Sequence, residues 1–182
     1  SVVPSILGSV HIKPKEGMRI GFSYYWDNLH DNTPGAHSGH TTTSLIPDEL
    51  RYNGPVKFRL TSLSFAHFSE KIELLSETGY NVSITDTTGR AGNFFQFVYG
   101  GVNLTEKSTP YLLADYINVA DNDVYVYPIE KLMVAFGYRY SFNYLLNIKV
   151  QLEKSWEFRH FGHDHPVSYG GPFIRVQVAY GF

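Results

Sequence analysis

Apolar residues alternate with polar or small residues along most of this chain, and this period of two limits the fold more than any other feature. Every even position from Ile174 to Phe182 is apolar, whereas the odd positions between them carry small or polar residues. Residues 132–140 and 146–152 repeat the pattern. Because successive side chains of a strand point to opposite faces, each of these segments is predicted to be a strand with one apolar face.

The same pattern predicts eight strands and no amphipathic helix. The strands are expected near residues 17–27, 55–67, 70–83, 91–102, 109–119, 131–141, 145–158 and 171–182. Short connections near 68–69, 103–108 and 142–144 alternate with longer ones at 28–54, 84–90, 120–130 and 159–170, which are rich in Gly, Pro, Asp, Asn and His. Strict alternation of short and long connections favours an antiparallel, up-and-down order of strands.

The length of the strands favours a membrane. Strands of 11 to 14 residues, at about 3.3 Å per residue and a tilt of about 45°, span roughly 25 to 30 Å, the height of the apolar band of a transmembrane barrel. We therefore predict an all-β transmembrane β-barrel in which residues 1–182 form one domain. A soluble eight-stranded barrel or sandwich has the same period but turns its apolar face inward, and the period alone does not separate the two.

Composition excludes several other classes. The chain has no cysteine, so disulfides, thiolate metal sites and a catalytic thiol are absent. Its net charge of -2 gives no basic surface for nucleic acid, so no nucleic-acid partner is expected. Its apolar runs are far shorter than the roughly 18 to 20 residues of a membrane helix.

The ending FIRVQVAYGF resembles the C-terminal strand of Gram-negative outer-membrane barrels. In that family the final aromatic residue belongs to the signal that the barrel assembly machinery reads, so the resemblance implies this role for Tyr180 and Phe182. Residues 55–182 also resemble the last strands of porins of the phosphate-selective type and their relatives. The features that carry this likeness are Thr109–Tyr111, Gly137–Tyr140 and Lys149–Glu153.

The resemblance implies a bacterial outer-membrane protein. Such a protein would be surrounded by membrane lipid and lipopolysaccharide and would be inserted by the barrel assembly machinery. It would contact further copies of itself in a homo-oligomer or another outer-membrane protein. The opening SVVPSILGSV has no initiator Met and no visible signal peptide, so we expect the sequence to begin after processing or inside a longer chain. Residues 1–16 are then the end of a preceding strand and a periplasmic turn.

Two sizes of barrel fit these observations. The chain is either a complete eight-stranded barrel or the C-terminal half of a barrel of roughly sixteen strands. An eight-stranded barrel has an interior just wide enough for its own side chains, whereas sixteen strands leave an aqueous channel. We predict a porin-like channel for passive diffusion of ions or small hydrophilic solutes. The alternative is a closed small barrel without a pore, which binds a partner or ligand through its extracellular loops.

The charged residues on the polar face of the strands are the predicted lumen-facing groups. In a narrow barrel they would pair with one another, and in a wide one they would bias ion selectivity. They are Arg19, Asp27, Lys57, Arg59, Glu73, Glu77, Asp115, Arg139, Lys149, Glu153 and Arg175.

Catalytic chemistry is not expected. Ser155 and His160 lack an orienting carboxylate at a matching position, so no nucleophile and base pair is predicted, and the chain is not expected to be an enzyme or to need a cofactor. His160, His163 and His165 are weak candidates for metal ligands, because loop histidines lack the surrounding groups that fix ligand geometry. No metal site is predicted.

Overall fold

A computed structural model describes residues 5–29, 55–123, 128–143, 145–160 and 171–180. These residues form one nine-stranded antiparallel sheet whose strands follow one another in sequence order. The strands are β1 (Ile6–Ile12), β2 (Met18–Leu29), β3 (Val56–Phe68), β4 (Ile72–Ile84), β5 (Arg90–Val102), β6 (Ser108–Asn118), β7 (Ile129–Ser141), β8 (Leu146–His160) and β9 (Phe173–Tyr180). Across the described ranges, no helix is long and apolar enough to cross a membrane.

The prediction of an all-β, antiparallel, up-and-down chain is confirmed, but the sheet has one strand more than the eight expected. The additional strand is β1, which lies in the N-terminal segment where the end of a strand was expected. It pairs with β2 over its whole length, from Ile6 opposite Trp26 to Ile12 opposite Ile20. Strands β1 and β9 are the two edges, and the sheet is not closed within the described residues.

The connections fall at two ends of the sheet. At one, the short-connection end, residues 13–17, 69–71, 103–107 and 142–145 link the strands with three to five residues each. At the other, the long-connection end, the links are 30–55, 85–89, 119–128 and 161–172. The expected strict alternation is wrong at one point, because the link at 85–89 is as short as those at the opposite end. A hydrogen bond from the Thr85 amide to the Gly89 carbonyl at 2.9 Å closes it.

Individual residues determine the turns at the short-connection end. Gly17 has a φ of 71°, and a Cβ there would lie 2.0 Å from the carbonyl oxygen of Phe68. The close approach allows the Phe68 amide to donate to the Gly17 carbonyl at 2.7 Å. In the β7–β8 turn, Asn143 Oδ1 accepts from the amides of Leu145 and Leu146 at 2.9 and 2.8 Å, a side-chain substitute for a backbone turn.

The two faces of the sheet differ in composition and in exposure. Residues opposite each other in the register share a face, and the large exposed apolar side chains of the described residues lie almost entirely on one, the apolar face. Ile174, Val176 and Phe136 there are 70%, 62% and 57% exposed. The other face, the polar face, holds the most deeply buried polar residues, among them Glu153 with none of its surface exposed.

This burial requires a curved sheet. Among the described strands, Cα atoms of different strands come within 8 Å only between neighbours in the sheet, so these strands form a single layer. Ala135, Ser83 and Glu153 are nevertheless almost fully buried. Burial of one face of a single layer, together with the bond between Arg139 of β7 and Glu73 of β4, indicates a sheet that curls with the polar face on its concave side and the apolar face on its convex side.

Candidate functional site

An ion pair on the polar face connects strands that are not neighbours. Arg139 of β7 donates to both carboxylate oxygens of Glu73 on β4, at 2.6 and 3.1 Å. Tyr99 of β5 donates to the same carboxylate at 3.0 Å, and Arg139 also donates to Thr109 Oγ1 of β6 at 3.1 Å. Four consecutive strands therefore contribute to one bonded group, in which each charge has several partners.

A glycine makes room for this ion pair. In the register, Glu73 is opposite Gly101, and Gly101 is opposite Tyr111. A Cβ on Gly101 would lie 2.9 Å from the Tyr99 hydroxyl and 3.0 Å from Thr109 Cγ2. Because position 101 lacks a side chain, the arginine of β7 reaches the glutamate of β4 across the two strands between them.

A second bonded group continues the first toward β9. Arg175 of β9 contacts the buried Glu153 carboxylate of β8, with 2.8 Å between Arg175 Nε and Glu153 Oε1. Gln151 donates to the same carboxylate and accepts a hydrogen bond from the Tyr111 hydroxyl at 2.9 Å. The rings of Tyr111 and Tyr99 lie 5.3 Å apart, so the two groups are in contact.

These residues form one band across the sheet, which we call the polar belt. The register places four of its residues, Glu73, Tyr111, Gln151 and Arg175, in a single row over β4 to β9, in which Gly101 and Gly137 occupy the positions on β5 and β7. Two further positions come from each of the adjacent rows. The belt consists of Glu73, Tyr99, Thr109, Tyr111, Arg139, Gln151, Glu153 and Arg175.

A third polar group lies nearer the long-connection end. Asp123, in the link between β6 and β7, accepts from Ser83 Oγ of β4 at 2.7 Å and from Asn93 Nδ2 of β5 at 2.6 Å. The Ala120 amide donates to Asn93 Oδ1 at 3.0 Å. Since Ser83 and Asn93 lie on the polar face, Asp123 and the Ala120 amide bond to side chains of this face.

Most of the predicted lumen-facing residues share the polar face. Within this set, the ion pairs join Glu73 to Arg139 and Glu153 to Arg175. Asp27 accepts from Tyr25 at 2.7 Å, and Arg19 donates to His11 Nδ1 at 3.3 Å. The residues on this face are Arg19, Asp27, Glu73, Glu77, Asp115, Arg139, Lys149, Glu153 and Arg175.

Lys57 and Arg59 lie on the opposite, apolar face, so the face predicted for them is wrong. Arg59 is directly opposite Trp26 in the register, and Trp26 belongs to the apolar face. The apolar residues at the start of β3 mislead the prediction, because Phe58 points to the polar face and packs against Tyr25 with 6.0 Å between ring centroids.

The remaining predicted site residues fall at the chain ends and in the last long link. Tyr180 is the final residue of β9 and is 67% exposed on the apolar face. His160 is the last residue of β8. Phe182, His163 and His165 lie outside the described residues, and no group of three or more His, Asp or Glu able to hold a metal ion occurs in the part of the chain that is described.

Several residues of the polar groups have no distinctive signal in the sequence. Tyr99, Tyr111, Gln151 and Asn93 carry no charge, and Asp123 lies in a link rather than a strand. One available signal was parity, because Tyr99 and Tyr111 share the odd positions of the charged residues on neighbouring strands.

Comparison with known families, curated proteins and solved structures finds no match.

Proposed function

We propose that the protein is a porin-like channel of the bacterial outer membrane, through which ions or small hydrophilic solutes diffuse passively along the polar face. One observation carries this proposal: the sheet exposes its apolar face and buries its polar one. On the inner strands, Leu112 and Phe136 of the apolar face are 59% and 57% exposed, whereas Glu153 of the polar face is fully buried. In water this arrangement leaves apolar surface in contact with solvent, which costs about 25 cal/mol of free energy for each Å² that is not buried. In a bilayer the same surface contacts lipid.

The distribution of aromatic residues on the apolar face supports a membrane. Tyr24, Trp26 and Trp156 lie toward the long-connection end of their strands, and Tyr138, Tyr140 and Tyr180 toward the short-connection end. Between them, the apolar face of β7, β8 and β9 is mainly aliphatic, whereas Ser76, Thr78 and Gln96 form a small polar group on the same face of β4 and β5. Two girdles of aromatic residues around an aliphatic band are typical of transmembrane barrels, because amphipathic rings favour the interfaces.

The charged residues of the apolar face fit the same interpretation. Lys57, Arg59, Arg90 and Glu130 all lie near the long-connection end, where an interface would place them in contact with head groups and water. Lys154 is closer to the middle of its strand, and its ammonium lies 5.1 Å from the centre of the Trp156 ring. That position directs the charge toward the same end, as expected for a side chain that reaches out of an apolar layer.

The mechanism is electrostatic filtering without a reaction. A solute on the concave side would replace part of its hydration by hydrogen bonds to the polar belt and to the group around Asp123. The two ion pairs of the belt, Glu73 with Arg139 and Glu153 with Arg175, contribute no net charge together. Removing one arginine therefore leaves a net negative charge where a solute passes, and this is expected to favour cations.

The test is conductance of the purified protein in a planar lipid bilayer. We expect stepwise conductance, and a shift toward cation preference in Arg139→Gln. Arg90→Gln is the matched control, because it removes the same charge from the apolar face. The proposal fails if folded protein gives no conductance, or if the two variants change the ion preference equally.

A second candidate function follows from the bonding within the belt. Its side chains bond to one another across four or more strands, as in a barrel whose interior is filled and stable but not open. The protein would then bind a partner or ligand through its outer connections. This alternative predicts no conductance, together with loss of binding to its partner when residues 28–54 are shortened.

A further inference from the structure

Two carboxylates on the polar face differ from the other acidic groups there. Glu77 of β4 and Asp115 of β6 are exposed, and among the described residues neither takes part in an ion pair or a hydrogen bond. Their charges are therefore not compensated by a bonded cation in this part of the chain. The glutamates of this face that do pair with a basic residue are Glu73 with Arg139, Glu153 with Arg175 and Glu157 with Lys131.

The two carboxylates lie in one row of the sheet. Glu77 is opposite Phe97 of β5, and Phe97 is opposite Asp115. Two strand spacings therefore separate their Cα atoms, which is about 10 Å. From β2 to β8 this row has no lysine or arginine. Its residues are Gly21, Ser64, Glu77, Phe97, Asp115, Met133 and Ser155.

The basic residues without a bonded carboxylate lie nearer the short-connection end. Among the described residues of the polar face these are Arg19 and Lys149. In the register, Arg19 is level with a residue two positions before Glu77 on β4, and Lys149 with one six positions before Asp115 on β6. Both β4 and β6 start at the short-connection end. The middle of the polar face is therefore acidic.

A buried acceptor on the same strand indicates the same sign of solute. Asn81 follows Glu77 by four residues on the polar face of β4 and is opposite Asn93 of β5. Only 7% of its surface is exposed, and no donor of a described residue bonds its Oδ1. A buried amide oxygen without a donor is stabilised by a cation or by a hydrogen-bond donor, and not by an anion.

We propose that Glu77 and Asp115 make the path along the polar face selective for small cations. The proposal rests on the proposed channel function and names the class of solute that the channel favours. A fixed carboxylate raises the local concentration of cations and lowers that of anions. Because the two ion pairs of the polar belt are neutral together, Glu77 and Asp115 supply the uncompensated charge in the path, as acidic rings do in cation channels.

The test is the reversal potential of the purified protein in a planar bilayer under a gradient of potassium chloride. We expect a cation preference. Glu77→Gln and Asp115→Asn should each lower the ratio of cation to anion permeability roughly twofold, since a unit charge about 10 Å away in water has an effect of this size after screening by salt. The double variant should lose the preference.

Two control variants separate charge from other effects. Glu130→Gln removes the same charge from the apolar face of β7, so it should leave the reversal potential unchanged. Glu77→Asp keeps the charge and should keep the cation preference. Glu77 and Asp115 are exposed and have no bonded partner among the described residues, so the neutral variants are expected to fold, and their conductance reports this directly.

Four results overturn the proposal: wild-type protein that conducts without a cation preference, an unchanged reversal potential in the double variant, a shift in Glu130→Gln as large as that in Glu77→Gln, and loss of the preference in Glu77→Asp. In all four the protein conducts, so the proposed channel function stands. Folded protein that gives no conductance instead overturns the proposed function, and this proposal with it.

Discussion

The exposed apolar face leads to a sharp prediction about Val176 and Gln177. These neighbours in β9 lie on opposite faces of the sheet, and both are exposed, Val176 to 62%. Val176→Arg places a charge on the apolar face, and Gln177→Arg places the same charge on the polar face. If lipid covers the apolar face, the first variant destabilises the protein much more than the second.

The size of the destabilisation by Val176→Arg depends on how deep Val176 lies in the bilayer. Tyr180 lies four residues beyond Val176, which is about 13 Å along the strand and about 9 Å along the membrane normal at a tilt of about 45°. If Tyr180 marks the interface of an apolar band about 25 Å high, Val176 lies within about 4 Å of the midplane. Arginine there costs about 2 to 3 kcal/mol, a factor of roughly 30 or more in the folding equilibrium.

The control variant Gln177→Arg is itself expected to lower the free energy of unfolding slightly. Gln177 is directly opposite Lys149 in the register, so the new arginine faces a like charge. Such a pair costs up to about 1 kcal/mol. The expected difference between the two variants is therefore about 1 to 2 kcal/mol or more in free energy of unfolding.

Urea unfolding of protein folded into lipid vesicles measures this difference. Trp26 and Trp156, the two tryptophans of the chain, both lie on the apolar face and report the transition by fluorescence. If water covers the apolar face instead, Val176→Arg is a surface substitution that costs within about 0.5 kcal/mol. Equal effects of the two variants would refute the assignment of the apolar face to lipid.

Three further predictions concern the polar belt. Arg175→Met leaves the buried Glu153 carboxylate without its cation and is expected to cost about 1 to 3 kcal/mol in urea unfolding, less than a fully buried pair because Arg175 is exposed. Adding Glu153→Gln should recover most of this loss, and an additive double variant would argue against coupling. Gly137→Ala places a Cβ 2.2 Å from Tyr111 Cζ and should lower the free energy of unfolding by about 1 to 3 kcal/mol. Gly100→Ala is the control, because its Cβ has its nearest contact at 3.6 Å, and it should destabilise the protein less. Similar melting temperatures of the two variants would contradict this prediction. Arg139→Gln should shift ion preference toward cations in a planar bilayer, and an unchanged reversal potential under a salt gradient would exclude Arg139 from the path of the ions.

The sequence alone was sufficient for eight of the nine strands and for their antiparallel, up-and-down order. Alternation with a period of two identified the apolar side chains of β7, β8 and β9, because these strands keep one parity along most of their length. It failed in β3, where Val56, Phe58 and Leu60 point to the polar face and Leu63 and Phe65 to the apolar one. Both sets are apolar but differ in parity within one uninterrupted strand, so only the register with β2 and β4 identified the face of Lys57 and Arg59.

The candidate site was predictable in its charges but not in its contacts. The charged residues of the belt follow from parity, whereas the pairing of Glu73 with Arg139 depends on β5 and β6 lying between them and on the absence of a side chain at Gly101. Likewise, nothing local in the sequence places Asp123 against Ser83 and Asn93. These contacts join residues far apart in sequence, so they depend on how the strands pair in the complete sheet.

The sequence by itself determined that each strand has an apolar and a polar face, because the period of side chains along an extended backbone is a local property. Only the tertiary structure decided which face is buried, because that depends on the direction in which the whole sheet bends. It also decided that β1 and β9 are the two edges of the described sheet and run in the same direction. Strand direction at the two edges follows from the number of strands between them, which is a property of the complete sheet.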